Sequence, residues 1–177
     1  MQTAGPGQAL FPVNDQFTSY IDAATLLPFR TEVRVQEGQR RAAWVVSPDQ
    51  DRGGAVFDDG ARVEITAGTH DLLSVFYALR SFDLTPGRQS RVSLLLNRRV
   101  RLLSVTALRQ AEIQLNGQSI PAVELALVTS DPPPAGDRFA LRLWVSTDRR
   151  RLPLRLTAQT PLGPVRADLA IIPTSLQ

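Results

Sequence analysis

The feature that most constrains this chain is a two-residue alternation of apolar and polar side chains, in short segments broken by turn residues, running from Phe17 almost to the C-terminus. Alternation at that period puts one set of side chains on each face of an extended strand, so the chain reads as an antiparallel sheet with one wet face. In residues 29–36, Phe29, Thr31, Val33 and Val35 fall on one face and Arg30, Glu32, Arg34 and Gln36 on the other. Comparable segments lie near residues 39–47, 54–58, 61–66, 90–97, 99–115, 118–129, 137–147, 152–160 and 164–172. Asp58-Asp59-Gly60 joins two of them, and Asn116-Gly117 is a dipeptide that accepts the positive φ values of a two-residue hairpin turn. Residues 131–136 hold three consecutive prolines, which cannot sustain a ladder and predict an exposed loop.

One segment breaks the period. Leu72, Val75, Phe76 and Leu79 recur at helical spacing, with Thr69 or Asp71 placed to cap the start and Pro86-Gly87 beyond the end. The spacing predicts a helix of about three turns over residues 71–80. The expected fold is therefore mostly β: a strongly bent antiparallel meander sheet, an open half-barrel, with this one short helix on its concave face. No internal repeat of fixed period is visible. Residues 17–172 read as a single β-rich domain, residues 1–16 as a partial or truncated N-terminal segment, and residues 173–177 as a tail.

Pairing sharpens these expectations. A turn at Asn116-Gly117 sets Leu115 opposite Gln118 and Arg109 opposite Glu124. A two-residue turn at Asp148-Arg149 would set Leu143 opposite Leu154 and Leu141 opposite Leu156, with Arg142 beside Arg155. A further turn around residues 161–163 brings Leu156 to Ala167 and Asp168 to Arg155, relieving the like-charge contact.

Composition mainly excludes. With 177 residues, 43% of them apolar, the chain is long enough to bury roughly 70% of its unfolded surface. No apolar run approaches the ~18 residues that cross a bilayer, so no transmembrane segment is expected, and residues 1–7 lack the basic and apolar regions of a signal peptide. All 20 Lys and Arg positions are Arg, which closes the lysine chemistries: the phosphate-loop lysine, the Schiff base to pyridoxal phosphate and the β-lactamase-type base. Without Cys, and with His70 as the only His, there is no thiol nucleophile, iron–sulfur cluster or zinc site of the usual ligand set. No cofactor is expected. An oxygen-only calcium or magnesium site stays open, although no EF-hand spacing appears. A net charge of +3, spread along the chain, gives no reason to expect nucleic acid.

The remaining constellations have a functional and a bland reading each. His70, Asp71 and Ser74 could be drawn as a hydrolytic triad, yet three residues so close on one helix cannot make the relay geometry, and Ser74 lacks a Gly-x-Ser-x-Gly elbow. Asp58 and Asp59 are adjacent carboxylates, but a solvated turn before Gly60 explains them better than a glycosidase dyad. Arg109 and Glu124 share a face with Ile113, Ile120, Ala122 and Ala126, which favours a partly buried structural pair over contact with a ligand's polar head. Trp44 and Trp144 each fall out of phase with their strands, which favours packing under the helix or at a sheet edge over a ligand platform. Arg142, Arg155 and Arg166 read as a solvated row, with an anionic lipid or polymer as the alternative. If a ligand is held between helix and sheet, Trp44, Phe76, Tyr77, Arg109, Glu124 and Trp144 are the residues expected to meet it.

Three stretches carry a resemblance: SYIDAATLLPFRTE (19–32), GTHDLLSVFYALRSFDLTPG (68–87) and LWVSTDRRRLPLRLTAQTPLGPVRADL (143–169). In order and spacing they resemble the bacterial envelope family catalogued as domain of unknown function 3108, over about residues 13–172. The positions that carry it are Asp22 and Pro28; Asp71, Leu73, Ser74, Tyr77, Leu79 and Arg80; and Trp144, Ser146, Asp148, Arg150, Pro153 and Gly163. The last stretch is also weakly similar to the closing hairpin of periplasmic lipoprotein-carrier and sigma-factor-regulator proteins. The resemblance implies an exported, β-rich protein of the periplasm or cell envelope with no assigned enzyme activity. Family members usually carry a signal sequence and extra strands before the position of Phe17. Three functions are then in play: a non-enzymatic envelope protein holding a lipid, acyl chain or other hydrophobic small molecule between helix and sheet; an envelope scaffold that binds a protein partner through a sheet edge or the arginine row; and, last, a hydrolase. A void of about 300 Å³ or more separates the first from the second.

Overall fold

The computed structural model describes residues 14–129, 141–160 and 163–170. Eleven strands and one helix follow in order: β1 (Gln16–Ile21), β2 (Pro28–Glu37), β3 (Arg40–Asp49), β4 (Gly54–Phe57), β5 (Arg62–Glu64), α1 (Val75–Leu79), β6 (Gln89–Leu96), β7 (Arg99–Leu115), β8 (Gln118–Thr129), β9 (Leu141–Ser146), β10 (Pro153–Thr160) and β11 (Gly163–Asp168). Among the described residues the fold is mostly β and antiparallel, with one short helix, as the periodicity predicts. The meander is divided, however, into two open sheets, β1-β2-β3-β4-β5 and β11-β10-β9-β8-β7-β6. The break falls at the segment whose period is helical, where no hairpin can join β5 to β6. The proline-rich loop expected over residues 131–136 lies outside the described residues.

The chain groups into two compact units. One comprises the described residues up to Ala78 together with Val92–Val100, and the other Leu79–Arg91 together with the described residues from Arg101 onward.

In the first unit, Val46, Ala55, Phe57, Ile65 and Leu95 form a buried cluster, with Trp44 and Val63 against it. Thr31 and Val33 of β2 are buried as expected, whereas Phe29 is 53% exposed and its neighbour Pro28 is buried. A register irregularity at Tyr20/Ile21, opposite Pro28, takes the first residues of β2 out of the simple alternation.

The helix is shorter than the expected three turns. Residues 72–74 form a turn, and only Val75–Leu79 are α-helical. The tight bonds from Phe76 N–H to the Leu73 carbonyl and from Tyr77 N–H to the Ser74 carbonyl wind the first turn more closely than an α-helix. Asp71 is the cap; Thr69 instead turns its hydroxyl onto the Thr66 carbonyl. Val75 and Leu79 of the expected stripe are buried, while Leu72 is 40% exposed.

In the second unit, the Asn116-Gly117 turn has φ of 51° and 77°, and Leu115 pairs with Gln118 and Arg109 with Glu124, the expected register. Ala107 pairs with Leu125 and Arg109 with Glu124, so Leu108 is a one-residue bulge. Val105 and Ala107 consequently share one face with Leu125 and Leu127, and Ile113 and Leu115 share the other with Ala122. The sheet bends within this unit: Arg155 donates to the Gln114 carbonyl and Asn116 to that of Ala170, bringing the β7–β8 tip to β10 and the end of β11. Ile113, Leu115, Ala122 and Leu154 are buried together there.

The β9–β10 connection corrects the predicted register. Leu143 pairs with Leu156 and Leu141 with Ala158, and Arg155 lies opposite Trp144 instead of beside Arg142. The turn is longer than Asp148-Arg149 alone: Ser146 N–H donates to the Leu152 carbonyl, and Leu152 N–H to Ser146 Oγ at 2.8 Å. Leu154 is then skipped at an irregularity between Pro153 and Arg155, because a proline at the strand start supplies no ladder N–H. The next hairpin has the expected pairs, Leu156 with Ala167 and Arg155 with Asp168.

Candidate functional site

Asp71 sits at the entry of α1, where the first turn leaves backbone N–H groups without helical partners. Its Oδ1 accepts from Leu73 N–H at 3.0 Å and Ser74 N–H at 2.7 Å, and Ser74 Oγ accepts in return from Asp71 N–H at 2.9 Å. This is a reciprocal cap. The other carboxylate oxygen accepts from Thr31 Oγ1 on β2 at 2.5 Å. His70 pairs with β6, its N–H on the Ser93 carbonyl and its carbonyl on Leu95 N–H. Its Nδ1 lies 3.2 Å from Ser74 Oγ, within hydrogen-bonding distance of the same hydroxyl that accepts from Asp71 N–H. Burial pushes the imidazole pKa below its usual value, against the opposing pull of the Asp71 charge. The sequence spacing argues against a catalytic relay of these three residues; the structure gives the Asp71 carboxylate to the cap and Thr31, and leaves Ser74 fully buried.

A cleft of about 50 Å³ opens beside this cap, between the helix entry and the sheet of the first unit, and Trp44, Val33, Leu72, Leu95 and Asp71 line it. Of the expected ligand residues only Trp44 is there. Phe76 is half-buried and Tyr77 is 42% exposed on α1, and neither reaches the cleft.

Arg109, Glu124 and Trp144 meet in the second unit instead. Successive registers place Arg109, Glu124, Trp144, Arg155 and Asp168 in one row across β7 to β11. Glu124, buried on β8, accepts from Arg109 Nε at 2.8 Å, with Arg142 Nε 3.6 Å from its other oxygen. Trp144 packs against the cluster around Ile113. Asp168 joins Arg155 at 2.7 Å and Arg166. The hydrogen bond from Arg166, helped by Arg155 and opposed by partial burial, holds the Asp168 carboxyl down at about 2. The expected row of arginines 142, 155 and 166 is thus interleaved with carboxylates, a partnering that the pairing rules gave for Arg155 and missed for Arg142.

Asp58 and Asp59 are both occupied by backbone N–H groups, one on β3 and one within the turn. Asp58 Oδ2 accepts from Val45 N–H, and Asp59 accepts from Ala61 N–H and pairs with Arg98 at 2.7 Å. The guanidinium of Arg98 also stands 4.5 Å over the Phe57 ring, an arrangement no local sequence signal announced.

The positions that carried the family resemblance fall at turns and caps. Asp22 accepts from Ala24 N–H, Thr25 N–H and the Thr25 hydroxyl, and Pro28 starts β2. Asp71 and Ser74 cap α1, Tyr77 stands exposed on it, and Arg80 follows it. Asp148 accepts from Ser146 Oγ and Arg150 Nε, Pro153 opens β10 opposite Val145, and Gly163 opens β11 at φ 113°. Only Trp144, in the charged row, sits mid-strand.

The chain matches the family described as "Protein of unknown function (DUF3108)" over residues 1–170. The chain belongs to that family. No curated protein and no solved structure matches it, and the weaker likeness to lipoprotein carriers found no support. Among the described residues of this DUF3108 member, no helix is long and apolar enough to cross a membrane, and no three acidic or imidazole side chains cluster so as to hold a metal ion.

Proposed function

We propose that this DUF3108 protein is a non-enzymatic interaction domain of the bacterial cell envelope, working through its surface and not through an internal ligand. The observation that carries the reading is the cleft between helix entry and sheet: about 50 Å³, enough for a water or two, where a drug-sized ligand needs roughly 300 Å³ or more. Trp44 packs against the buried cluster that contains Leu95, and both line this narrow cleft. What supports a non-enzymatic reading is that Ser74 is fully buried beside a helix cap and that the Asp58 and Asp59 carboxylates hold the backbone N–H groups of Val45 and Ala61. The envelope setting rests on the family resemblance.

The competing reading is a carrier that opens to take a lipid or acyl chain beside Trp44. Titrating the full chain with a fluorescent fatty acid separates the two: no saturable change in probe or tryptophan emission is expected, and stoichiometric binding would overturn the interaction reading. Fractionation of the native host is expected to find the protein outside the cytosol; a purely cytosolic pool would remove the envelope half of the proposal.

A further inference from the structure

The first unit carries a second opening, an open groove of about 790 Å³. The β1–β2 connection and the start of β2 supply Asp22, Leu27 and Phe29; the end of β3 and the turn after it supply Asp49 and Asp51; β4 supplies Val56. Phe29 is 53% and Val56 41% exposed, and Tyr20, 42% exposed, brings its ring centroid to 6.3 Å from that of Phe29. Large apolar side chains gathered in this way on a folded surface mark a contact site. The lining is one-sided in charge as well: three carboxylates and no Arg or His. The nearest counter-charge recorded for them is Arg52, 88% exposed and 3.7 Å from Asp49, an exposed pair that an incoming cation displaces at little cost. Hydrogen bonds from Thr25 and Ala24 lower the Asp22 pKa, so that it is anionic at neutral pH.

Apolar surface, exposed aromatic rings and three carboxylates whose one ion pair among the described residues is exposed and weak together select a cation with an apolar neighbour. The same unit already holds a guanidinium by this chemistry, where Arg98 lies over Phe57 and pairs with Asp59. The three carboxylates do not gather closely enough to hold a metal ion, and phosphate headgroups or nucleic acid would be repelled. We propose that the groove docks an extended peptide segment of a partner protein in which Arg or Lys alternates with apolar residues. The proposal rests on the interaction-domain reading and supplies its partner chemistry.

The test is fluorescence anisotropy of a labelled hexapeptide of alternating Leu and Arg, added to the full chain at low salt. Saturable binding is expected, weakened about tenfold by Asp49→Asn with Asp51→Asn, comparably by Phe29→Ala, and strongly by added salt. A peptide with Glu in place of Arg is expected not to bind. Each altered residue lines the open groove, and thermal melts by circular dichroism confirm that the variants fold. The proposal is overturned if the Leu-Arg peptide fails to saturate, if the Glu peptide binds equally well, or if the groove variants leave the affinity unchanged. None of those results touches the cleft at Trp44, so failure here is distinct from the fatty-acid result that would sink the underlying reading.

Discussion

Asp71 holds two backbone donors of the first helical turn with one oxygen and the Thr31 hydroxyl with the other, all in a buried setting. Removing it therefore does more than uncap a helix: it takes the carboxylate partner away from the buried Thr31 hydroxyl on β2. An N-cap is worth about 0.5–2 kcal/mol, and an orphaned buried polar group costs about 1–3 kcal/mol. Asp71→Ala is expected to lower the unfolding free energy by about 2–4 kcal/mol in a urea titration, and Asp71→Asn, which keeps an acceptor oxygen, by clearly less. Equal losses from the two would show that the carboxylate's bonds are not the source. Half of this was legible, since an Asp just ahead of a helical stripe announces a cap. Thr31 was not, because it lies forty residues away and its partner is fixed by tertiary packing. Glu124 shows the same division: Arg109 follows from counting back from Asn116-Gly117, and Arg142 needs β9 in place.

At the scale of elements, the long strand β7 is governed by its bulge. In sequence, Leu103, Val105, Ala107, Ile113 and Leu115 lie on one odd-numbered stripe that Arg109 alone interrupts with a charge. The extra residue Leu108 divides it, sending the first three to one face and the last two to the other, where they meet Leu154 under the bent tip. Deleting Leu108 while keeping the Asn116-Gly117 turn would join Ala107 directly to Arg109, with Leu125 and Glu124 still opposite them, so Leu103 and Val105, which are 3% and 2% accessible, keep their buried face in an uninterrupted ladder. The deletion is expected to retain cooperative unfolding and near-ultraviolet dichroism; a deletant without a cooperative transition would mean that the local twist of the bulge, and not the register it sets, is what the strand needs. Bulges escape sequence reading because an inserted residue leaves the alternation intact on its own strand, and the discontinuity exists only relative to a partner. The β9–β10 register failed for the same reason, at Leu154. Turns that need positive φ are local and were legible at Asn116-Gly117, while the Asn97-Arg98 turn, with φ of 48° and 62°, lacks the glycine that would have advertised it.

For the whole molecule, strand content and antiparallel order followed from periodicity, but the volume left beside the helix did not: periodicity says which side chains turn inward, not how closely they meet. The carrier expectation depended on that volume. Charge is the global property that both sequence and structure address, and it sets the response to acid. Asp168 has its carboxyl held down at about 2 against 3.8 in the unfolded chain, chiefly by Arg166 and then Arg155. Between those values the unfolded chain binds a proton that the folded chain refuses, so stability falls as pH drops from about 4 towards 2 and is unaffected above. His70 acts in the same direction higher up the scale. Its folded value lies below the unfolded 6.5 because burial disfavours the imidazolium, so its contribution is complete above pH 6.5 and declines as the medium is acidified through that value. Urea midpoints measured against pH are therefore expected to show two acid-side losses, one beginning near 6.5 and one below about 4. Asp168→Asn removes its share of the lower loss and His70→Gln the whole of the upper. The lower loss is shared with Asp22, Asp59, Asp83 and Asp148, whose values are also lowered, so Asp168→Asn shallows it without erasing it. The upper loss has a single source, because His70 is the chain's only histidine; a step at 6.5 that survives in His70→Gln would contradict the buried, neutral imidazole at the entry of the helix.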